Sequence, residues 1–170
     1  MSQAAEQTAI ELMQIDLFNL RRLAASESAD FGGMAVMDGA LPPPRAAVRA
    51  LAQLDSGTPT LWCVPFLITS DSREAVLGHC GFKYAPSDGS VEVGYGVATS
   101  MRGQGIATAA VGRLLQLAAS SGKVQQVVAH ILPSNIASSK VAGRLGFSMG
   151  HSFLDSDGEM VVHWAYRVAI

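Results

Sequence analysis

The stretch V-A-T-S-M-R-G-Q-G-I-A-T, from Val97 to Thr108, takes the chain from a strand directly into a helix. The first turn of a helix presents backbone N–H groups that have no partner, and the aligned peptide dipoles favour negative charge there. Gly103 and Gly105 place no side chain between this backbone and an anion, and Arg102 adds a cation that can pair with phosphate. The pattern predicts a phosphate cradle in this turn. A glycine turn before a helix that binds nothing is the alternative.

Two common phosphate motifs do not fit this turn. A P-loop ends in Gly-Lys-Ser or Gly-Lys-Thr, and neither tripeptide occurs in the chain. The dinucleotide fingerprint needs a third glycine where this chain has Thr108. The net charge of -2 argues against a general nucleic-acid binder, because that function needs a surplus of Lys and Arg. We therefore expect backbone groups to hold most of the phosphate charge.

The strand before the turn has two different faces. Alternation places apolar side chains on one face (Val91, Val93, Tyr95, Val97) and Glu92, Gly94 and Gly96 on the other. Glycine is energetically costly inside a strand, so Gly94 and Gly96 suggest a close approach by another chain or by a ligand. A linear ligand along the strand would have its phosphates at the helix start and its reactive end near Glu92.

Periodicity and turn residues predict the remaining elements. The fold class that they indicate is α+β (mixed α/β), with a central, mostly antiparallel sheet of six or seven strands and flanking helices. The predicted strands are Ile10 to Ile15, Thr60 to Thr69 with Pro65 at an edge or bulge, Ala75 to Tyr84, Val91 to Val97, Gln126 to Leu132, Phe147 to Leu154 and Met160 to Val168. The predicted helices are Asp16 to Ala25, Pro44 to Leu54, Gln104 to Ser120 and Asn135 to Leu145, and Ser26 to Pro44 is predicted to be a loop.

Composition indicates one domain in a reducing compartment. The length of 170 residues with 49% hydrophobic residues suits a single core. Cys63 and Cys80 have no metal-ligand spacing and are expected to be buried free thiols, and the histidines suggest no metal site. The first residues lack the pattern of a signal peptide, and no apolar run is long enough to cross a bilayer. We therefore expect a cytoplasmic protein that contacts neither nucleic acid nor membrane.

Two segments carry a resemblance to a known family. R-G-Q-G-I-A (Arg102 to Ala107) matches the R/Q-x-x-G-x-G/A acetyl-CoA motif of the GNAT superfamily of N-acetyltransferases. N-I-A-S-S-K-V-A-G-R-L-G-F (Asn135 to Phe147) resembles the N-x-x-S…G-F segment of the same family. Together with E-M-V-V-H-W-A-Y (Glu159 to Tyr166), it is most similar to the branch that resembles ribosomal-protein N-acetyltransferases. The resemblance is strong from Ala75 to Val168.

The resemblance implies the acyl-CoA N-acyltransferase fold and a place for acetyl-CoA. The cofactor would lie in a V-shaped opening between the strands that begin at Val91 and Gln126. Residues 1–57 would shape the acceptor pocket and residues 58–170 would form the acetyl-CoA-binding core of a single domain. The implied cofactor-binding residues are Val97, Ala98 and Thr99 along the pantetheine, Arg102, Gly103, Gln104, Gly105, Ile106, Ala107 and Thr108 at the pyrophosphate, and Asn135 at the pantetheine arm.

The family acts by direct attack of an amine on the thioester, and two residues are candidates for the proton transfers. Glu92 is the predicted general base, acting through water, with a solvated glutamate in a surface ion pair as the alternative. Many family members have a Tyr seven residues after the Asn to serve the departing thiolate, but this chain has Ala142 there. Ser138 takes that role by resemblance, and a hydroxyl bonded to its own helix backbone is the alternative. His79 is interpreted as a core- or cleft-lining residue rather than a base.

The predicted function is an acetyl-CoA-dependent N-acetyltransferase that acts on a protein N-terminus or a small-molecule amine. A non-catalytic module that binds acyl-CoA as a sensor is the alternative, and the absence of a Tyr at Ala142 keeps it open. The acceptor is not identified by the sequence. The edge near Pro65 and the final strand are candidates for pairing in a homodimer, although no residue requires one.

Overall fold

A mixed sheet forms the centre of the protein. The computed structural model describes residues 8–169, and the prediction about a signal peptide at residues 1–7 lies outside this range. Its strands are β1 (Ile10–Gln14), β2 (Ala35–Val36), β3 (Phe66–Ser70), β4 (Ala75–Phe82), β5 (Ser90–Val97), β6 (Gln126–Ile131), β7 (Ser148–Leu154) and β8 (Met160–Arg167). Seven of them lie in the order β1-β3-β4-β5-β6-β8-β7, and β2 pairs with β4. Only the β2–β4 and β5–β6 pairs are parallel among the strands of this range, which confirms the predicted α+β class with a mostly antiparallel sheet.

Helices flank the sheet, and local signals define where they begin. They are α1 (Leu17–Ala24), α2 (Pro44–Asp55), α3 (Thr60–Cys63), α4 (Ile106–Ser120) and α5 (Ile136–Leu145). The Asp16 carboxylate accepts the Asn19 N–H at 2.9 Å and caps α1 as predicted, while Pro44 begins α2 where a missing N–H costs nothing. None of the helices in residues 8–169 is long and apolar enough to cross a bilayer.

The predicted strand from Thr60 to Thr69 is wrong in its first half. Thr60–Cys63 forms the short helix α3, and the strand begins only at Phe66, after Pro65. The apolar run resembles a buried strand, but Trp62 instead packs its ring against Phe82 with centroids 4.9 Å apart. A short apolar run does not distinguish a strand from a helical turn by itself.

The core has two layers, one on each face of the sheet. Leu67 and Ile68 are neighbours in β3 and are both fully buried, so they point to opposite faces. Ile68 belongs to the cluster that contains α4 and α5, and Leu67 belongs to the cluster that contains α1 and α2. This arrangement places α2 and the start of α4 on different sides of the sheet.

The free edges of the sheet differ from the edges expected for a homodimer. Pro65 precedes β3, which lies between β1 and β4, and the final strand β8 lies between β6 and β7. The end strands of the described sheet are β1 and β7 instead. The chain returns from the end strand β7 to β8, which pairs with β6, and turn signals do not reveal this pairing between distant segments.

Candidate functional site

The sheet opens between its two central parallel strands. The β5–β6 ladder joins Ser90 to Gln126 and ends at the pair Glu92–Val128, whereas β5 continues beside β4 as far as Val97. Beyond Glu92, therefore, β5 and β6 separate within the described sheet. The result is an opening in the middle of the sheet, which the turn at the start of α4 borders.

The glycine turn has the left-handed backbone that its sequence requires. Gly103 and Gly105 both have φ near 77°. This left-handed backbone conformation is energetically unfavourable for most residues that have a side chain. A Cβ at Gly103 would meet no atom within 4 Å, so it would enter open space. A Cβ at Gly105 would lie 3.1 Å from the Thr8 Oγ1, and that hydroxyl donates to the Gln104 carbonyl at 2.7 Å. Gly103 therefore keeps the approach to the turn open, while Gly105 allows Thr8 to pack against it.

The backbone of this turn offers unpaired donors. Among residues 8–169, no backbone acceptor outside the helix receives the N–H groups of Gly103 to Thr108. The first of the following N–H groups to be bonded is that of Ala109, which donates to the Gly105 carbonyl at 3.0 Å. The Thr108 Oγ1 is buried and has no hydrogen-bond partner in the described part of the chain. A buried hydroxyl without a partner is costly, so this corner suits a ligand with several acceptor oxygens.

A first cavity of about 450 Å³ begins at this turn. The end of β5, the glycine turn and the exposed side of α5 enclose it. Its charged lining residues are Arg102, Lys140 and Arg144, and no Asp or Glu is among the lining residues that the structure describes. The cavity therefore has the electrostatics of an anion site in a chain whose net charge is negative.

Sequence reasoning did not identify Lys140 and Arg144. They are four residues apart on α5 and so lie on one helix face. The same spacing relates Ile136 to Lys140, which could have indicated a face that borders the opening. The spacing that could have identified these two cations thus lies in the same helix as the Asn135 motif.

Most of the predicted cofactor-binding residues line this first cavity. Those that do are Val97, Arg102, Gly103, Gly105, Ile106, Ala107, Thr108 and Asn135. Three do not: Ala98 is fully buried in the cluster with α1 and α2, and Thr99 and Gln104 are exposed outside the lining. The carbonyl oxygens of Val97 and Thr99 each accept a 3.4 Å hydrogen bond from Arg102, and a carbonyl retains a second lone pair for another donor.

The two glycines of β5 are explained by the neighbouring strand rather than by a ligand. A Cβ at Gly96 would lie 2.8 Å from the His79 ring, and one at Gly94 would lie 3.1 Å from the Lys83 side chain. The face of β5 that carries Gly94 and Gly96 is therefore covered by these two side chains. A close approach therefore explains both glycines, but it is made by a neighbouring segment of the same chain.

A second cavity of about 490 Å³ lies on the other side of the opening. Its walls come from the start of α2, from β4 and β5, and from the end of β6 with the turn after β7. The basic and acidic side chains in the described lining are Arg45, Arg49, His79, Lys83, His130 and Asp157. His79 is thus cleft-lining, as one of its two interpretations held. Its Nδ1 lies 3.1 Å from the Ala40 carbonyl oxygen, and burial lowers the pKa of its ring, so its neutral form is favoured.

The two cavities meet at three residues. Tyr95, Asn135 and Ser138 line both of them. The Asn135 side chain accepts the Ser138 N–H at 3.1 Å and caps α5. Tyr95 was placed by sequence on a core face, and only its position opposite α5 shows that it reaches the junction.

The Ser138 hydroxyl is not bonded to its own helix. In the described residues, the hydroxyl that bonds the helix backbone is that of Ser139, which donates to the Asn135 carbonyl at 3.1 Å. The Ser138 Oγ has no such bond within the same range. The alternative for Ser138, a hydroxyl bonded to its own helix backbone, therefore applies to Ser139 instead.

Glu92 lies at the closed end of the opening and contacts two basic side chains. Its Oε1 is 2.6 Å from the Lys83 Nζ and 3.2 Å from the His130 Nδ1. The Glu92 side chain is 17% exposed, so the ion pair is not the solvated surface pair of the alternative reading. The carboxylate does not itself line either cavity, but both of its partners line the second one. The His130 Nε2 in turn lies 3.1 Å from the His163 Nδ1.

Neither cysteine is suited to be a nucleophile. Cys63 and Cys80 are free and buried. Burial raises the pKa of the Cys80 thiol to about 12 and raises the pKa of Cys63 as well. The reactive form of cysteine is the thiolate, which these environments disfavour. Residues 8–169 also contain no group of three or more His, Cys, Asp or Glu side chains arranged to hold a metal ion.

Comparisons with known proteins agree with this geometry. A family model described as an acetyltransferase (GNAT) domain matches residues 18–148. No curated protein matches the chain in sequence. Among solved structures, the RimL ribosomal L7/L12 alpha-N-protein acetyltransferase in complex with coenzyme A is similar, with a TM-score of 0.67 and 19% identity over 95% of this chain and 95% of that one.

Two further structures share the fold. RimJ of Mycobacterium smegmatis in complex with a CoA-disulfide has a TM-score of 0.66 and 20% identity, over 95% of this chain and 83% of that one. A ribosomal-protein-S5-alanine acetyltransferase from Vibrio fischeri has a TM-score of 0.66 and 14% identity, over 94% of this chain and 93% of that one. These matches confirm the predicted fold, and no comparison favours a non-catalytic sensor. The chain belongs to the acetyltransferase (GNAT) family, whose members are enzymes that take an acetyl group from acetyl-CoA.

Proposed function

We propose that the first cavity binds acetyl-CoA, that the second binds an amine, and that the acetyl group passes directly between them. The observation that carries this proposal is the meeting of the two cavities at Tyr95, Asn135 and Ser138. A direct transfer needs the two substrates in one continuous space with their reacting atoms in contact. An amine at this junction would approach a thioester from the side opposite the phosphate cradle.

The residues of the first cavity fit the anionic part of coenzyme A. The free N–H groups of residues 103–108 and the unpartnered Thr108 hydroxyl supply hydrogen-bond donors for a pyrophosphate. Arg102, Lys140 and Arg144 supply positive charge around it. The backbone of 97–99 and the amide of Asn135 remain the proposed partners of the pantetheine arm, and Ala98 and Gln104 would take part through the backbone alone.

We assign the proton transfers to Glu92 and Ser138. The amine must lose a proton as its nitrogen forms the new bond to the acetyl carbon, and Glu92 receives that proton through water. The Glu92 carboxylate lies next to the acceptor cavity, because Lys83 and His130 contact the carboxylate and also line the cavity. As the carbon–sulfur bond breaks, the free hydroxyl of Ser138 donates a hydrogen bond to the departing thiolate.

The acetyl group need not rest on the protein during this reaction. Cys63 and Cys80 both line the acceptor cavity, but burial disfavours their thiolates. The products are then an amide and free coenzyme A, without an acyl-enzyme. The same pair of reduced, buried thiols suits the cytoplasm, which we propose as the location.

The N-terminal part of the chain is proposed to shape the acceptor pocket. Pro42, Arg45 and Arg49 from residues 1–57 line the second cavity, whereas all described lining residues of the first cavity come from the later part. The acceptor is a protein N-terminus or a small-molecule amine. If the protein forms a homodimer, the exposed end strand β7 is the surface that we propose for it.

A thiol-release assay tests this function. The protein is incubated with acetyl-CoA and a panel of amines and N-terminal peptides, and the acetylated product is identified by mass spectrometry. We expect free coenzyme A only when an acceptor is present, with no gain of an acetyl group on the protein itself. Tight binding of acetyl-CoA by calorimetry with no turnover of any acceptor would support the sensor instead. An acetylated cysteine in the absence of acceptor would refute direct transfer.

A further inference from the structure

The acceptor cavity contains two arginines without an acidic partner. Arg45 and Arg49 lie four residues apart on α2, so both are on the helix face toward the cavity. No ion pair among the described residues involves either of them. The Arg49 guanidinium carbon lies 5.6 Å from the centroid of the Tyr84 ring, and this contact holds the group in place without neutralising it.

The other charges of this cavity do not cancel the two arginines. Lys83 is paired with Glu92, so these two groups balance one another. Asp157 is the one carboxylate among the described lining residues, it lies in the exposed turn between β7 and β8, and it forms no ion pair with either arginine. His79 contributes no cation near neutral pH, because burial lowers its pKa. The α2 side of the cavity is therefore positive.

We propose that the acceptor is an amine that also carries an anionic group, a carboxylate or a phosphate, and that Arg45 and Arg49 bind this group. A guanidinium matches either oxyanion through paired hydrogen bonds. The amine end then points to the junction at Ser138, and the anionic end lies along the first turns of α2. This assignment rests on the proposed function and names its substrate class.

The charge pattern disfavours polycationic acceptors. A polyamine or an aminoglycoside would place further ammonium groups beside Arg45 and Arg49, and like charges at close range cost binding energy. Such substrates need a pocket rich in carboxylates, whereas the described lining has one. The acceptor pocket of this chain thus selects against one group of amines as well as for another.

The experiment compares acceptors that differ in charge alone. C-terminally amidated peptides with glycine first and then Glu, Gln or Lys are assayed beside spermidine. A second arm compares ethanolamine with phosphoethanolamine and distinguishes phosphate from carboxylate as the preferred anion. We expect kcat/KM to fall in the order Glu, Gln, Lys, with spermidine below the Glu peptide, or phosphoethanolamine to exceed ethanolamine.

Variants assign the preference to the two arginines. Arg45→Gln and Arg49→Gln should each raise KM for the anionic acceptor about fivefold, which is the size of a partly exposed ion pair. The KM for acetyl-CoA should not change. Arg21→Gln removes an exposed arginine of α1 that lines neither cavity and serves as the matched control. The double charge reversal Arg45→Glu with Arg49→Glu should move the preference toward the Lys peptide.

Equilibrium binding keeps this test independent of turnover. Calorimetry with the same peptides, in the presence of coenzyme A, should give the same order of affinities even if no acceptor is acetylated. Equal affinity for the Glu and Lys peptides, or tighter binding of spermidine, would overturn the assignment of an anionic acceptor. If the affinities follow the charge of the peptides but no acceptor is acetylated, the transferase proposal is refuted and the anion site remains supported.

Discussion

The Tyr95 hydroxyl donates a 3.1 Å hydrogen bond to the backbone carbonyl of Ser138 and thereby ties β5 to α5. Burial raises the pKa of Tyr95, so the phenol remains a neutral donor over the ordinary pH range. Because Tyr95 uses the carbonyl of Ser138 and Asn135 uses its N–H, both backbone groups of this residue are occupied. The hydroxyl of Ser138 is what remains available at the junction of the two cavities.

Ser138→Ala should therefore reduce kcat more than it changes binding of acetyl-CoA. Removal of one hydrogen bond to a developing anion costs about a hundredfold in rate where the site is well ordered. Steady-state kinetics with saturating acetyl-CoA measures this loss. Ser139→Ala is the matched control, since its hydroxyl is bonded to the helix backbone at Asn135. Equal kinetics of the two variants would remove Ser138 from the reaction.

The parts of this protein that sequence predicted well depend on local signals. Asp16 and Asn135 cap their helices through bonds that span three residues, and Gly103 and Gly105 have the left-handed backbone expected of a glycine turn. Such features need only a few neighbouring residues, so a pattern in the chain is enough to identify them.

The parts that sequence did not predict depend on distant partners. Gly96 is glycine because the His79 ring of the adjacent strand covers it, and no spacing within β5 could show this. Arg45 reaches the acceptor cavity because α2 packs on α3, which in turn contacts β4, and the pairing of β4 with β5 builds another wall. The acceptor pocket is made almost wholly of such contacts, which is why the cofactor turn could be predicted and the acceptor could not.

Gly103→Val should weaken binding of coenzyme A by about tenfold or more, or about 1.4 kcal/mol. The new side chain would enter the open space beside the free N–H groups and obstruct a phosphate. Calorimetry of the folded variant gives the affinity directly.

Gly122→Val is its matched control. Gly122 has φ of 67°, a Cβ at this position would meet no atom within 4 Å, and the residue lies at the opposite end of α4. Both variants strain the backbone to a similar extent, so a difference in affinity reports the cradle rather than the strain. If both bind coenzyme A as the parent does, the phosphate is not held at this turn.

Glu92→Gln should lower the rate at neutral pH while leaving the affinity for acetyl-CoA nearly unchanged. The amide keeps the shape of the side chain but cannot accept a proton from the amine. The measurement is the dependence of kcat/KM on pH, in which the ascending limb of the parent should shift or disappear. Glu11→Gln removes a carboxylate with the same 2.6 Å contact to a cation, here Arg73, at a distance from both cavities. A Glu92→Gln profile identical to that of Glu11→Gln would exclude Glu92 as the base.

The half-buried His79 should make the protein less stable as the pH falls below about 6.5. Its pKa is lowered in the folded state, chiefly by burial, so the unfolded chain binds the proton more readily. The stability that its neutral ring contributes is thus fully present above the unfolded pKa and is lost as the pH falls toward the folded one. Urea unfolding of the parent and of His79→Gln, at about pH 7.5 and about pH 5.5, measures the difference.

His79→Gln should lose less stability on acidification than the parent does. A glutamine can still donate a hydrogen bond to the Ala40 carbonyl, which the His79 Nδ1 contacts, but it does not titrate. His163 also has a lowered pKa and is present in both proteins, so it cancels from the comparison. Parallel loss of stability in the two proteins would show that His79 is protonated as easily in the fold as in the unfolded chain. A third cation would then stand beside Arg45 and Arg49 below about pH 6.5, and the preference of this cavity for an anion would strengthen on acidification.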